Sequence, residues 1–531
     1  MRRLVLAAAL TSALLAHSAV AYADQKADRQ EAATSDIESP DAALLKSQTS
    51  QTEGSVTVAG KRIDYRAVAG TLVLHGQGDK EHEPTASVFY VAYFKKDATP
   101  GKRPITFLYN GGPGSATVWL HMGAFGPRRV VTNDDTHTPP APYRLINNDS
   151  SLLDASDLVF IDAPGAGFSR LIADEKDPAK RAELMKMRKQ DIYSVDGDAR
   201  AFAQFITQFL SRYNRWNSPK YLFGESYGTT RSAVLANILQ NQMHVDLNGV
   251  ILLSQILSFD TSIDGPEHNP GIDLPYVLAL PTFAATAYYH HRLPEQPAAL
   301  EPFLAEVERF AGGEYAAALF AGANLEPARK QAIAEKLHAY TGLPVDYLLR
   351  ANLRVTGGMF EQSLLANDSM TAGRLDSRFS GPSLDPLAKN AGYDPLIASI
   401  APTYVALFND YVRQQLKFGD DRTYRLFADI EEWGMKHDGH DGALNVMGDL
   451  ATTMKTNPQL KVLLTGGYYD VATPYFAAKY EMAHLPIPAS LQKNIRQAWY
   501  PAGHMVYAHE PSLKALHDDV ARFIDETSRQ P

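Results

Sequence analysis

The sequence predicts an α/β fold with a mainly parallel central sheet and a helical cap insertion. Between residues 86 and 257, short apolar runs typical of buried strands alternate with segments of helical periodicity, which is the pattern of a parallel sheet whose strands are joined by helices. The alternation is lost over 266–432, where amphipathic helices are separated by loops that contain Pro and Gly. It returns at 460 and continues to the C-terminal helix.

The N-terminus has the three parts of a secretory signal peptide. Arg2 and Arg3 form a positive region, residues 4–16 form an apolar run, and residues 21–23 (Ala-Tyr-Ala) form a small-x-small cleavage site. The apolar run is shorter than the roughly 20 residues needed to span a bilayer. We therefore expect cleavage before Asp24 and an exported mature chain, periplasmic or extracellular, with no stable membrane insertion.

The predicted elements follow in chain order. Residues 24–54 are mostly small and polar, which is typical of a flexible lead-in. Alternating apolar and polar residues on both sides of Gly60 predict a β-hairpin over 55–74. Further apolar runs predict strands, and apolar residues at every third or fourth position predict helices. The strands are 86–94, 103–110, 156–164, 220–223, 247–257 and 460–470, and the helices are 195–214, 231–242, 297–312, 330–342 and 511–528.

Composition excludes several classes of function. The chain has 531 residues, of which 45% are hydrophobic, an ordinary value for a globular protein. Its net charge of −9 provides no basic surface for nucleic acid. It contains no cysteine, so disulfides, thiol nucleophiles and cysteine-bound metals are ruled out. We expect no nucleic-acid partner and no cofactor.

The pentapeptide GESYG at 224–228 fits the G-x-S-x-G pattern of a nucleophile elbow. In that motif a sharp turn between a strand and a helix lifts the serine hydroxyl above the sheet. The pattern is common by itself, and an ordinary turn serine is the alternative. Here a predicted strand at 220–223 precedes it and a predicted helix at 231–242 follows it. We therefore interpret Ser226 as the nucleophile of an α/β-hydrolase fold.

A serine hydroxyl needs a base, and the base needs a carboxylate that orients it. In α/β-hydrolases the three groups follow one another along the chain as Ser, Asp or Glu, and His. Asp470 ends the apolar run 460–470, and His504 follows Gly503 shortly before the last helix. Ser226, Asp470 and His504 are therefore the predicted catalytic triad, with a turn aspartate and a structural histidine as the alternatives.

The sequence NGGPGS at 110–115 follows the predicted strand 103–110. In this fold one N–H of the oxyanion hole belongs to the residue after the nucleophile, and the other belongs to a loop after an early strand. Removing one such donor raises the barrier to acyl transfer by roughly 3–4 kcal/mol. The sequence thus predicts the N–H groups of Gly112 and Tyr227 as the oxyanion hole.

These motifs resemble those of the serine carboxypeptidases. The likeness runs from about Val56 to the C-terminus and is weakest over 266–432. It implies an α/β-hydrolase fold with a helical insertion that caps the site. It also implies removal of C-terminal residues from peptides, often best in mild acid. The shared features are NGGPGS, a Gly-Pro pair at 126–127, SLLDASDLVFIDAPGAGFSR at 151–170, GESYG, Asp470 after an apolar strand, and GHM at 503–505.

The resemblance also implies a pocket for the free carboxylate of the substrate. In the family this pocket consists of the Asn and first Gly of NGGPG, the Glu of GESYG and a second Glu just before the Gly-Pro pair. Asn110, Gly111 and Glu225 match the first three positions, but an ungapped alignment puts Ala124 at the fourth. Two neighbouring carboxyls raise one another's pKa and share a proton. Ala124 therefore departs from the pattern on which acid preference and carboxylate binding depend.

Two further features are open to more than one interpretation. Arg128 and Arg129 lie just beyond Ala124; they either compensate for the missing carboxyl or are solvated surface arginines, and the second interpretation is favoured. The stretch KHDGHD at 436–441 has two His and two Asp, a composition that suggests a metal site. Its Gly and its lack of helical spacing favour a surface turn, and we predict no metal.

We expect the chain to be an exported serine carboxypeptidase with peptide substrates. An esterase or acyltransferase on the same machinery is the alternative that Ala124 favours. An aminopeptidase would need an acidic residue for a free amine, and none is identified. The intact Ser, Asp and His set disfavours a non-catalytic binding protein. The predicted organisation is a signal peptide at 1–23, a lead-in at 24–54, an α/β-hydrolase catalytic core at 55–265 and 433–531, and a mostly helical cap insertion at 266–432.

Overall fold

The computed structural model describes residues 43–440 and 442–529. The predicted signal peptide and the first part of the predicted lead-in lie outside these residues. Within the part of the chain that is described, no helix is both long enough and apolar enough to cross a membrane.

A ten-stranded sheet forms the centre of the molecule, and two small two-stranded sheets accompany it. The described strands are β1 Thr49–Val58, β2 Lys61–His75, β3 Pro84–Lys95, β4 Ile105–Tyr109, β5 Arg128–Val130, β6 Leu145–Asn147, β7 Asp157–Ile161, β8 Arg170–Leu171, β9 Lys220–Glu225, β10 Gly249–Leu253, β11 Met370–Ala372, β12 Ser380–Pro382, β13 Lys461–Gly467 and β14 Ile495–Tyr500. The large sheet has the order β1-β2-β3-β7-β4-β9-β10-β13-β14, with β8 paired to β3.

Pairing within the large sheet changes from antiparallel to parallel at β7. Strands β1, β2, β3 and β7 pair antiparallel, whereas every pair from β7 to β14 along the sheet is parallel. The predicted α/β class and mainly parallel sheet are confirmed. The arrangement of strands and helices is that of an α/β-hydrolase.

Helices join these strands and cover the sheet. The described α-helices are α1 Pro178–Ile192, α2 Val195–Arg212, α3 Tyr227–Asn237, α4 Leu274–Tyr289, α5 Leu300–Phe310, α6 Ala316–Ala321, α7 Pro327–Thr341, α8 Val345–Arg350, α9 Gly357–Leu364, α10 Pro395–Gln414, α11 Met447–Thr456, α12 Tyr475–Ala483, α13 Ala489–Gln492 and α14 Glu510–Ser528.

The predicted strands correspond to β3, β4, β7, β9, β10 and β13, and the predicted hairpin to β1 and β2. Every residue of β4, β7, β9 and β10 is buried, because a parallel sheet is covered on both faces and its strands are continuously apolar. β1 begins at Thr49, inside the segment whose composition predicted a lead-in. It is an edge strand with mostly exposed or half-buried residues, so its composition resembles that of a loop.

The apolar core consists of two clusters. The first surrounds the large sheet. The second contains apolar side chains from α4 to α9, and Tyr469, Val471 and Tyr475 join it. Helix α10 and the residues up to Tyr424 pack into the first cluster, although they lie within the predicted insertion 266–432.

The carboxyl ends of the parallel strands meet at one edge of the sheet. In open α/β sheets this edge is where ligands bind, because the loops that follow the strands converge there. β4 pairs with β9, and β13 pairs with both β10 and β14. The residues that follow β4, β9, β13 and β14 include Asn110, Ser226, Asp470 and His504, respectively.

Candidate active site

Ser226 lies in a tight turn between β9 and α3. Its backbone has φ 61° and ψ −132°, a conformation that costs a residue with a side chain roughly 1–3 kcal/mol. Two main-chain hydrogen bonds hold the turn, from Ser226 N–H to the Leu253 carbonyl (3.0 Å) and from Thr229 N–H to the Ser226 carbonyl (2.7 Å). They fix a half-buried serine in the conformation that the elbow motif predicts.

The glycines on either side of Ser226 are required by close packing. A Cβ atom on Gly224 would lie 2.1 Å from the carbonyl oxygen of Gly228. β9 and α3 therefore approach one another too closely for a side chain at this position. The G-x-S-x-G pattern is a steric requirement of the turn in this chain.

His504 and Asp470 form a buried, hydrogen-bonded pair. His504 Nδ1 lies 2.7 Å from Asp470 Oδ2, and both side chains are almost fully buried. Thr473 donates to the same carboxylate from its N–H (3.0 Å) and from its hydroxyl (2.7 Å). Because Nδ1 donates its proton to the carboxylate, Nε2 is the nitrogen left to accept one. The pair has the geometry of a general base and its orienting carboxylate.

Asp470 controls the basicity of His504. Burial disfavours protonation of the imidazole, but the charge of the Asp470 carboxylate and its hydrogen bond outweigh burial. The pKa of His504 is therefore raised above its ordinary value. A raised pKa makes the imidazole a better proton acceptor.

Ser226 and His504 are linked through the end of β10. Ser226 N–H donates to the carbonyl of Leu253, and the next residue, Ser254, donates from its hydroxyl to the His504 carbonyl at 2.7 Å. Within residues 43–440 and 442–529, Ser226 Oγ itself forms no hydrogen bond. The structure therefore brings both residues to the same strand end.

The glycine-rich turn packs directly against the turn that holds Ser226. A Cβ atom on Gly111 would lie 2.4 Å from the backbone nitrogen of Tyr227, so the two backbones touch. Gly112 has φ 108°, in the region that favours glycine. The N–H groups of Gly112 and Tyr227 thus belong to adjoining turns, which is the arrangement that an oxyanion hole requires.

Arg231, in α3, links the glycine-rich turn to that helix. Its guanidinium forms a two-point ion pair with Asp198, at 2.6 and 3.2 Å, and donates to the Asn110 carbonyl at 2.8 Å. The charged side chains of the ion pair are almost fully buried, so losing one would leave an unpaired buried charge. Sequence reasoning missed this pair, because its members lie 33 residues apart and no local motif joins them.

Asn110 and Glu225 lie next to Tyr507 in the predicted carboxylate pocket. The Tyr507 hydroxyl donates to the Glu225 carboxyl, with oxygen–oxygen distances of 2.9 and 3.1 Å. Burial raises the pKa of Glu225 to about 7, although the His504 charge and hydrogen bonds from Tyr507 and Asn110 lower it. Below neutral pH this carboxyl is therefore protonated and can donate a hydrogen bond. Tyr507 was not identified from the sequence.

Ala124 lies in the π-helical turn Leu120–Phe125 and is fully buried. The neighbouring Arg129 forms an ion pair with Glu510 at 3.1 Å. In the part of the chain that is described, Arg129 makes no hydrogen bond to Glu225. The structure thus provides a methyl group at the position of the missing carboxyl.

The KHDGHD stretch holds a histidine between two carboxylates. His437 Nδ1 lies 2.6 Å from Asp196 Oδ1, and its Nε2 lies 2.8 Å from Asp449 Oδ2. The described residues, which exclude Asp441, contain no group of three or more His, Asp or Glu side chains able to hold a metal. Hydrogen bonds occupy both ring nitrogens, so His437 links this stretch to α2 and α11.

The segment 373–379 was also missed, although it contacts both loops that carry the predicted base and its carboxylate. Asp376 is fully buried and pairs with Arg378 at 2.6 Å. The sequence GRLDSRF resembles an exposed loop, and its partners lie far along the chain, 127 residues away for Gly503. The hydrogen bonds are Val471 N–H to the Arg374 carbonyl (3.0 Å), His504 N–H to the Leu375 carbonyl (2.6 Å), Gly503 N–H to Asp376 Oδ2 (3.1 Å) and Ser377 N–H to the Tyr469 carbonyl (2.9 Å).

Residues 72–269 match a family model described as serine carboxypeptidase. Two similar proteins are serine carboxypeptidase-like 36 of Arabidopsis thaliana, 25% identical over 173 residues, and the pheromone-processing carboxypeptidase KEX1 of Phytophthora infestans (strain T30-4), 27% identical over 202 residues. The alignments cover 32% and 34% of this chain, and 31% and 28% of those proteins. The chain therefore spans about a third of the length of these relatives.

Among solved structures, the chain is similar to Kex1(delta)p, a prohormone-processing carboxypeptidase from Saccharomyces cerevisiae. The two share 14% sequence identity and a TM-score of 0.52, over 87% of this chain and 91% of that one. This likeness shows a shared fold. The match over residues 72–269 confirms, for that part of the chain, the resemblance to serine carboxypeptidases that the motifs predict.

Proposed function

We propose that the mature chain is an exported serine-type carboxypeptidase that hydrolyses C-terminal residues from peptides through an acyl-enzyme. The observation that carries the proposal is the buried Asp470–His504 pair, at 2.7 Å, on the same edge of the sheet as the strained Ser226. Such a set is the machinery of nucleophilic acyl transfer. The match of residues 72–269 to serine carboxypeptidases supports peptides as the substrates.

In this mechanism Ser226 Oγ attacks the carbonyl carbon of the last peptide bond while His504 Nε2 takes its proton. The oxyanion accepts hydrogen bonds from the N–H groups of Gly112 and Tyr227. His504 then gives its proton to the departing amine, which leaves the acyl group on Ser226. Water that His504 deprotonates releases the shortened peptide. Asp470 orients His504 and stabilises its charged form throughout.

Selectivity for the C-terminal residue requires binding of its free carboxylate. The Asn110 side chain, the Gly111 N–H and the Glu225 carboxyl are the proposed binding groups. Glu225 donates a hydrogen bond when it is protonated, and its pKa of about 7 places that form in mild acid. Above that pH the charged carboxylate repels the substrate carboxylate. The proposal therefore includes weaker binding of free acids in mild alkali.

An esterase or acyltransferase on the same machinery is the second candidate function. Ala124 favours it, because this residue is fully buried where the resemblance implies a second carboxyl. A pocket that binds the substrate carboxylate less well discriminates less between a free acid and an ester or amide.

The decisive measurement compares one N-blocked dipeptide with its C-terminal amide as substrates of the mature protein, from about pH 4 to about pH 8. We expect the free acid to be hydrolysed faster, and its advantage to decrease as the pH rises through about 7. Equal rates, or cleavage of simple esters alone, would favour the esterase. Folded protein that a fluorophosphonate probe does not label at Ser226 would exclude the serine-hydrolase mechanism.

Export is a separate part of the proposal. Residues 1–23 predict a signal peptide that is removed before Asp24. Protein recovered from the periplasm or the medium should therefore begin at Asp24, as measured by N-terminal sequencing or intact mass. A cell-retained chain that still begins at Met1 would contradict it.

A further inference from the structure

This inference rests on the proposed function and concerns how the substrate carboxylate is held. We propose that the hydroxyls of Tyr404 and Tyr507 provide the hydrogen bonds that a second carboxyl would otherwise supply, so that the pocket consists of Asn110, Glu225 and two tyrosines. The ligand is the free α-carboxylate of the last residue of a peptide.

The backbone at Gly123 and Ala124 leaves room for both tyrosines. A Cβ atom on Gly123 would lie 2.2 Å from the Tyr404 hydroxyl oxygen and 2.8 Å from Tyr507 Cδ2. Both rings therefore meet at the residue next to the position of the missing carboxyl. Tyr404 belongs to α10 and Tyr507 to the 3₁₀ turn Val506–Ala508, so segments from different parts of the chain converge there.

Tyr507 connects this space to the carboxyl of the pocket. Its hydroxyl lies 2.9 and 3.1 Å from the two oxygens of Glu225. A protonated carboxyl has one O–H donor and retains acceptor capacity. By donating to it, Tyr507 orients the Glu225 carboxyl and leaves its proton for a ligand. Tyr507 thereby acts on the substrate carboxylate through Glu225.

Tyr404 is a donor with no acceptor. Its side chain is 2% exposed and packs on Trp119, with ring centroids 4.9 Å apart. Within the described residues its hydroxyl has no hydrogen-bond partner, and it is not one of the unpartnered polar atoms sealed from solvent. Solvent therefore reaches this hydroxyl, so it is open to a ligand that enters the pocket. A carboxylate oxygen bound beside Glu225 would satisfy it.

Both tyrosine hydroxyls keep their protons, because burial raises the pKa of each. Burial raises the pKa of Tyr404, which the Arg129 charge lowers and the Glu225 carboxylate raises. Burial is also the main reason that the pKa of Tyr507 is raised, and Glu225 is the next. The tyrosines therefore remain donors across the physiological range, and Glu225 is the group that loses its proton. The charged and titratable groups that face it are His504, Tyr507, Asp470 and, from α10, Tyr404.

The test uses Tyr404→Phe and Tyr507→Phe, which each remove one oxygen and keep the ring. KM and kcat are measured for an N-blocked dipeptide and for its methyl ester, in acid, where Glu225 is protonated. Tyr404→Phe should raise KM for the free acid by about 10- to 100-fold, as for one hydrogen bond to a charged group. Tyr507→Phe should raise it by about 3- to 10-fold, because its hydroxyl bonds the uncharged Glu225 carboxyl. Both should change KM for the ester by less than about 2-fold. Tyr411→Phe is the matched control on the same helix, because its buried hydroxyl contacts that of Tyr93 at 2.8 Å, and it should change neither KM.

The outcomes separate this inference from the proposed function. If the wild type prefers the free acid and the Tyr404→Phe and Tyr507→Phe variants keep this preference, the inference is wrong and the proposed function stands. A wild type that a fluorophosphonate probe labels at Ser226, but that does not prefer the free acid, would overturn the carboxypeptidase proposal and this inference with it. Wild-type labelling rates in the variants would show that the fold is intact.

Discussion

His504 and His437 are both hydrogen-bonded to aspartates, and they differ in what the second ring nitrogen contacts. His504 has one aspartate, Asp470, at Nδ1. His437 has one at each nitrogen, Asp196 at 2.6 Å and Asp449 at 2.8 Å. A neutral imidazole has a single N–H, so hydrogen bonds to two carboxylates require the charged form. His437 is accordingly a fixed positive charge, whereas Nε2 of His504 has no aspartate partner within the described residues, as the proposed general base requires.

The pKa values of the two histidines follow from these contacts. Hydrogen bonds to Asp196 and Asp449 raise the pKa of His437 to about 10, against the opposing effect of burial. For His504 burial is the largest influence, and the Asp470 carboxylate, with a smaller contribution from Glu225, outweighs it. A histidine that stays charged across the physiological range cannot accept a proton there. The number of carboxylates and the depth of burial, rather than the presence of a His–Asp pair, therefore distinguish a structural link from a base.

The largest effect is expected when the Ser226 hydroxyl, from which His504 takes a proton in the proposed mechanism, is removed. Ser226→Ala should lower kcat by about 10⁶-fold, because no acyl-enzyme can form without the hydroxyl. The measurement is hydrolysis of the N-blocked dipeptide, with circular dichroism to verify the fold. A loss below about 10²-fold would mean that another residue is the nucleophile.

Matched substitutions of the aspartates beside the two histidines test whether the histidines have different roles. Asp470→Asn should lower kcat by about 10⁴-fold, because an amide favours the wrong tautomer of His504 and no longer stabilises its charged form. Asp449→Asn makes the same change beside His437 and should leave kcat within about 2-fold. Steady-state kinetics of both variants on one substrate tests this difference, and comparable losses would contradict the separate roles.

The proposed triad could be predicted because each of its members lies beside a local pattern. Ser226 is flanked by glycines, because the tight turn leaves no room for side chains there. Asp470 follows an apolar strand, and His504 precedes the last helix. The parallel sheet could be predicted for the same reason, because strands buried on both faces are continuously apolar.

The remaining features depend on contacts between segments that are far apart in the chain. No local pattern joins segment 373–379 to the loops of Asp470 and His504, or brings Tyr404 and Tyr507 together at one backbone position. Helix α4 was missed because nearly all of its residues are buried, which removes the amphipathic period on which helix prediction depends.

Asp376→Ala tests whether the segment 373–379 positions the base. Asp376 accepts a hydrogen bond from Gly503 N–H at 3.1 Å and pairs with the buried Arg378. Without this carboxylate the loop before His504 is less constrained, and a shift of about 1 Å in a catalytic group costs about 10²-fold in kcat. Asp368→Ala is the control, because it removes an exposed ion pair in the same part of the chain, which contributes little. An unchanged kcat in folded Asp376→Ala protein would exclude the positioning role.

The smallest expected effect is that of replacing His437, which should change the free energy of unfolding and leave activity unchanged. The fold raises the pKa of this histidine from 6.5 to about 10, so the charged form stabilises the folded state. The contribution is fully present below about pH 6.5, decreases as the pH rises, and is lost above about pH 10. Because the cluster is half-buried, solvent screening limits the contribution to about 1–2 kcal/mol.

Urea unfolding of the wild type and of His437→Gln, at about pH 6 and about pH 10.5, measures this contribution. The free energy of unfolding of the variant should be lower by about 1–2 kcal/mol at the lower pH and equal to that of the wild type at the higher pH, because glutamine is uncharged at both. His440→Gln changes an exposed histidine of the same KHDGHD stretch and should match the wild type at both pH values. If the free energy of unfolding of His437→Gln were lower than that of the wild type by the same amount at both pH values, His437 would act as a neutral hydrogen-bonding group. The difference between the two histidines would then rest on the free Nε2 of His504 alone.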